Sequence, residues 1–292
     1  MLGLWAQQSF AGSLRYCDDT GEFDPAAQDR LIRIAAIVKN ELDHSGQRLA
    51  VISRSGLALQ RLDHRYSHAG VTLKASSNTP WSVRQLYYAC DEKRPRIFDQ
   101  GMAGFVMGSN DASRGFLSIV FLPQEAAAAL ERAALDDRQV LQFLGSSYSA
   151  NAYAFSVLYQ NCNQWLAELL ASAWSDLPPD TQTRQAAQQW LQEEGYAPSV
   201  MNVGWRPLIW LASQLQWLHN DDHPAEDLEA ARYRVSMPAS IEAFLKQRYV
   251  QSARTEVCYT KEHVLIRRHG EDLDADCTPA IGDERISLKT HP

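Results

Sequence analysis

The chain has 292 residues, 45 % of them apolar and 22 % charged, and a formal net charge of −7. That is room for one large domain, or for a domain with a substantial extension, at the composition of an ordinary soluble protein. The acidic balance offers no electrostatic footprint for nucleic acid, and no run of about 18 uncharged apolar residues exists, so no transmembrane helix is expected.

Residues 1–23 read as an N-terminal arm. Met1 to Gly12 lack a basic region, and their apolar run is short and broken, which makes a poor signal peptide or the remnant of one. Asp24-Pro25 then opens a helix, an N-cap followed by proline at the first helical position. Leu31, Ile34, Ala35, Val38 and Leu42 follow at spacings of three and four up to Gly46. Residues 48–53, 66–73 and 81–89 read as strands, the last two forming an antiparallel hairpin around Ser76 to Pro80. Residues 91–95 read as a surface loop, and 96–107 as a short helix or turn followed by a strand. Residues 115–122 are a strand stopped by Pro123, and 124–135 and 137–144 are helices. Residues 153–159 read as a strand or an extended approach to the next helix.

That helix opens at Tyr159-Gln-Asn-Cys-Asn-Gln-Trp165, with Trp165, Leu166, Leu169 and Leu170 at helical spacing. Asn161 is an acceptable N-cap and puts Cys162 in the first turn, where free N–H groups and the helix dipole favour a thiolate. Cys162 is then either a nucleophile or a small buried residue in a helix cap, and a base within reach decides which. After Trp174 the composition changes. Helices are expected over 181–194, 205–219 and 240–249, with a polar turn at Asn220 to Pro224. A pair of short strands is expected within 255–268, and disorder from Gly270 onward. The order gives an α+β fold with four parts: the arm 1–23, a core over 24–175, a helical extension over 176–250 packed on it, and a partly disordered tail over 251–292.

The cysteines are Cys17, Cys90, Cys162, Cys258 and Cys277. None pair at CxxC spacing, so a zinc cluster is not expected, and no metal or cofactor is assigned. In an exported chain four could form two bridges, leaving Cys162 as the natural free thiol. Asp221, Asp222 and His223 are adjacent and cannot converge on one ion from a regular element, so they read as a capped turn.

Of the eight histidines only His68 falls in an expected core strand, in Tyr66-Ser-His-Ala-Gly-Val71. In the partner strand Gln85 interrupts an apolar and aromatic run, and its amide oxygen could accept an imidazole N–H and fix the tautomer. Arg84 is the competing polar residue on the opposite face.

This set, His68-Ala-Gly70 on one strand, Gln85 on the next and Asn161-Cys162 opening a later helix, resembles the permuted branch of the NlpC/P60 papain-like superfamily. Lecithin–retinol acyltransferase-like and YiiX-like proteins are its relatives. A closer resemblance is to the bacterial family DUF2145. It is carried by Cys17, Tyr-Ser-His-Ala-Gly, Cys90, Tyr-Gln-x-x-Asn-Gln-Trp, Trp-Leu-x-Glu-x-Gly-Tyr (Trp190 to Tyr196) and Asp-Asp-His-Pro (Asp221 to Pro224) in one order, over roughly residues 15 to 250. The resemblance implies a permuted papain-like antiparallel sheet packed against helices. It implies a periplasmic or cell-envelope location, although the N-terminus departs from the usual secretion signal and leaves the cytoplasm open. A Cys17–Cys90 disulfide is implied on the same footing; Cys258 and Cys277 receive no assignment.

The function expected from this set is a thiol hydrolase or acyltransferase. His68 takes the proton of Cys162, Gln85 holds the imidazole, and the Cys162 N–H with Asn161, Tyr66 or Tyr148 stabilises an oxyanion. The substrate class is a small peptide, a peptidoglycan fragment or a lipid acyl group. The alternative is a catalytically inactive envelope binding module on the same fold.

Overall fold

The structure is a computed structural model. It describes residues 23–57, 59, 62–175, 183–204, 215, 217–269 and 271–289. It is α+β. Helix α1 (Pro25–His44) starts where Asp24 accepts the Ala27 N–H at 2.8 Å, with Pro25 in the first turn. Strands β1 (Leu49–Arg54), β2 (His68–Leu73), β3 (Ser82–Ala89) and β4 (Arg94–Gln100) follow, then α2 (Met102–Met107) and β5 (Arg114–Phe121). Helices α3 (Gln124–Leu135), α4 (Asp137–Gln142), α5 (Cys162–Trp174) and α6 (Thr183–Glu193) come next. The remaining elements are β6 (Ser199–Asn202), α7 (Ala225–Glu229), β7 (Arg232–Val235), α8 (Pro238–Arg248), β8 (Ala253–Thr260), β9 (His263–Arg268) and β10 (Glu284–Ser287).

Eight strands form one sheet in the order β10-β9-β8-β5-β1-β2-β3-β4, with every pairing antiparallel. Both faces are covered, and alternation along the strands divides the core in two. Leu49, Val51, Ala69, Val71, Leu73 and Leu86 pack with α3, α5, α6 and α8 in one cluster. Ala50, Ile52, Val83, Leu117 and Ile119 pack with α1 and α2 in the other. Helix α5 is buried on all sides from Cys162 to Ser172, so it is the interior helix of the first layer.

The structure departs from the sequence reading in four places. Residues 94–107 run strand then helix, the reverse of the expected order. Pro95 looked like a loop residue, but β4 is an edge strand, where a missing N–H costs no ladder hydrogen bond. Residues 153–159 form no strand; Tyr153 makes only an isolated bridge to Val235. The two-stranded sheet β6–β7 was not anticipated, because neither strand has the alternation of a long one. Finally, the segment read as a tail belongs to the sheet. β8 pairs with β5 along its whole length, and the chain after residue 270 is held by the Cys258–Cys277 disulfide and by Arg267 bidentate on Asp283 at 2.7 and 2.8 Å. Covalent and ionic ties order a segment whose composition alone cannot. The helix expected over 205–219 falls mostly outside the described residues, as does the N-terminal arm. No helix among the described residues is long and apolar enough to cross a membrane.

Candidate functional site

β2 and β3 position the first two residues of interest. Extending their register places Gly70 opposite Gln85 and His68 opposite Tyr87, on one face. His68 stacks on Tyr87 at 4.5 Å between ring centroids and lies 6.1 Å from Phe105 of α2. Its Nε2 is 2.7 Å from Gln85 Oε1, so Nε2 carries the proton and donates it. Gln85 in turn donates to Gln100 Oε1 at 2.9 Å, which orients the amide. The expected His68–Gln85 pair is therefore formed.

Arg54 sits opposite His68 on β1, on the same face. Its guanidinium donates to the Tyr87 hydroxyl at 2.6 Å and to the Ser55 carbonyl at 3.2 Å, and lies 5.5 Å from the Phe105 ring centre. Burial, reinforced by the Arg54 charge, pushes His68 down to about 3, with the Gln85 bond opposing both. The imidazole is neutral at physiological pH.

Cys162 opens α5 as expected. Asn161 is the N-cap, its Oδ1 accepting the Gln164 N–H at 2.7 Å. The backbone N–H groups of Cys162 and Asn163 are directed at the sulfur and favour the thiolate, as does Arg54. Burial outweighs them, and the thiol is pushed up to about 12. Cys162 is 7 % exposed and packs in the cluster of Ala69, Val71 and Leu86, the residues whose side chains leave the sheet away from His68. The sheet thus divides the expected triad: His68 and Gln85 face α2, and Cys162 faces the opposite layer.

The residues expected to complete an oxyanion hole have other partners. Asn161 Nδ2 donates to the carbonyls of Ala150 and Ser236, at 3.4 and 3.5 Å. Tyr66 donates to Glu256 Oε1 and accepts from Arg254 at 3.1 Å, in a separate cluster with Phe116 and Leu273. Tyr148 is buried against Tyr88 at 5.1 Å. Asp221, Asp222 and His223 have separate hydrogen-bond partners: Asp221 accepts from the Tyr159 hydroxyl at 3.2 Å, Asp222 from the Tyr153 N–H at 2.9 Å, and His223 donates to the Asn151 carbonyl at 2.7 Å, with Asp222 Oδ1 3.6 Å from His223 Nε2. Among the described residues no three His, Cys, Asp or Glu side chains are grouped to hold a metal ion.

Cys162 is the free cysteine of the described residues. Cys258 and Cys277 form a disulfide with their Cα atoms 5.9 Å apart. Cys17, the expected partner of Cys90, lies outside the described residues, and Cys90 itself is not a free thiol.

The sequence did not single out Arg54, or Tyr87 within the aromatic run that Gln85 interrupts. The available signal was an arginine closing a strand of apolar residues just before Ser55-Gly56, which is weak without the register that aligns it with His68.

A family model of uncharacterized proteins conserved in bacteria, DUF2145, matches residues 41–245. No curated protein and no solved structure matches the chain.

Proposed function

We propose, for a chain that belongs to the DUF2145 family, that this domain is a non-catalytic binding module working in an oxidising compartment such as the bacterial cell envelope. The order of its elements, a His68 strand, a Gln85 strand and then a Cys162 helix, supports a permuted papain-like arrangement from which the catalytic pairing has been lost. The observation that carries the reading is the division of His68 from Cys162 by the sheet. A thiol hydrolase or acyltransferase needs imidazole and sulfur within hydrogen-bond reach, with the sulfur open to an acyl group. Here the thiol is buried and protonated and the imidazole is neutral and spent on Gln85. The Cys258–Cys277 disulfide supports the oxidising setting. The peptidoglycan peptides and lipid acyl groups implied by the family resemblance remain the ligand classes to try.

Iodoacetamide alkylation of Cys162, followed across pH by mass spectrometry, tests the reading. A native protein that alkylates at pH 6 no faster than a model thiol, and reacts readily once unfolded, supports the binding module. Alkylation at pH 6 much faster than the model thiol restores the enzyme.

A further inference from the structure

The strongest unexplained feature outside the sulfur is the charge of Arg54. Its side chain is 5 % exposed, and no carboxylate among the described residues pairs with it. Other arginines set into this fold are paired: Arg84 with Asp99 and Asp137, Arg184 with Glu168, Arg254 with Glu242 and Glu256. A buried cation without an anion is costly, and mutation or drift to a neutral residue would remove that cost. Arg54 Nε is buried with no acceptor at all.

Beside it lie two hydroxyls that each have a proton to give. The Tyr87 hydroxyl accepts from Arg54 and the Ser67 hydroxyl accepts the Leu57 N–H at 3.1 Å, so each keeps its own proton to give. Both residues are partly exposed. Two glycines let the backbone lie close against the guanidinium. A Cβ on Gly56 would meet Arg54 Nη1 at 2.6 Å, and one on Gly108 would meet Nη2.

The geometry points to Arg54, Tyr87 and Ser67 as the binding site for a carboxylate group, from a small organic acid or from the C-terminus of a peptide. The guanidinium fork matches the two carboxylate oxygens, and the one uncompensated positive charge matches one negative charge. A phosphate dianion would leave a net negative charge in the same place. His68 supplies no second cation, because its ring is neutral and its Nε2–H is committed to Gln85. Tyr87, partly exposed beside the guanidinium, is the aromatic surface that the apolar part of such a ligand would meet. This site gives the binding reading a ligand class and rests on that reading.

The test follows the Arg54 Nε–H resonance of the whole protein by NMR during titration with acetate, N-acetylglycine, acetamide and inorganic phosphate. Saturable shifts with acetate and N-acetylglycine, and none with acetamide, are expected. Tighter binding of N-acetylglycine than of acetate assigns a peptide terminus, and equal binding assigns a simple acid. Tyr87→Phe should weaken acetate about tenfold, the loss of one charge-assisted hydrogen bond, with the fold intact; Ser67→Ala serves as a second variant of the same kind. A flat titration with both carboxylates, a response to acetamide equal to that of acetate, or saturation by phosphate in preference to both, overturns the site. A flat titration alongside an inert Cys162 removes only the carboxylate site. A Cys162 that alkylates rapidly at pH 6 removes the non-catalytic reading whatever the titration gives.

Discussion

Gln85 holds the His68 ring by a 2.7 Å hydrogen bond across the β2–β3 hairpin, and that bond fixes the proton on Nε2. In a papain-like enzyme such a bond would aim the other ring nitrogen at a sulfur. In this fold it anchors a neutral imidazole between Tyr87 and Phe105, on the far side of the sheet from Cys162.

The neutral ring makes stability depend on pH. His68 has a folded value of about 3 against an ordinary 6.5. Below pH 6.5 the unfolded chain takes up a proton that the folded chain refuses. The contribution of this group is whole above pH 6.5 and declines by about 1.4 kcal/mol per pH unit as pH falls toward 3. Urea unfolding of the parent and of His68→Gln at pH 7, 6, 5 and 4 should show the parent losing stability faster, the difference tracking one proton. Parallel pH profiles would mean that His68 titrates normally in the fold.

A second determinant of stability is Glu168, whose side chain is fully buried on α5. It accepts from Arg184 at 2.8 and 3.1 Å, from Gln160 at 2.6 Å and from Gln188 at 2.7 Å. This carboxylate ties the interior helix to α6 and to Gln160 in the irregular segment before Cys162. Glu168→Ala leaves Arg184 partly buried without its anion, and the expected loss is about 3–5 kcal/mol in chemical unfolding. Glu168→Gln should recover only a small part of it, because its one amide oxygen can accept from the donors on one side and its NH2 cannot accept from the others. Should Glu168→Ala prove neutral, the network is not what holds these helices together.

The third concerns the Cys258–Cys277 bridge, which closes a loop of 19 residues between β8 and β10. In the chain-entropy account such a loop contributes about 3 kcal/mol. Cys258→Ala with Cys277→Ala should lower stability by that order. Hydrogen exchange should rise first in β10, the edge strand held to the sheet only by β9. Unchanged protection of β10 in the double variant would show that Arg267–Asp283 suffices.

What the sequence made legible was local. Asp24-Pro25 and Asn161 announce their helices because a cap is a matter of a few residues. His68 and Gln85 could be paired because they sit on the two arms of one hairpin. The face of the sheet to which each residue belongs was not legible. β2 is buried along its entire length, so the alternation of His68, Gly70 and Thr72 with Ala69, Val71 and Leu73 carries no inside–outside contrast. Which layer receives α5 depends on contacts between residues about ninety positions apart. The same holds for β8, whose partner β5 lies more than a hundred residues upstream. Arg54 was obscure for the related reason that an arginine at the end of a strand ordinarily points to water.

The most direct measurement is an NMR pH titration of the His68 ring in the parent protein and in Cys162→Ala. Separation by the sheet predicts a ring that stays neutral, with its proton on Nε2, down to the region of pH 3. It also predicts a titration that Cys162→Ala leaves where it was. A ring that titrates at or above the ordinary 6.5 in the parent, and drops when the sulfur is removed, would reveal a thiolate–imidazolium pair and contradict the account.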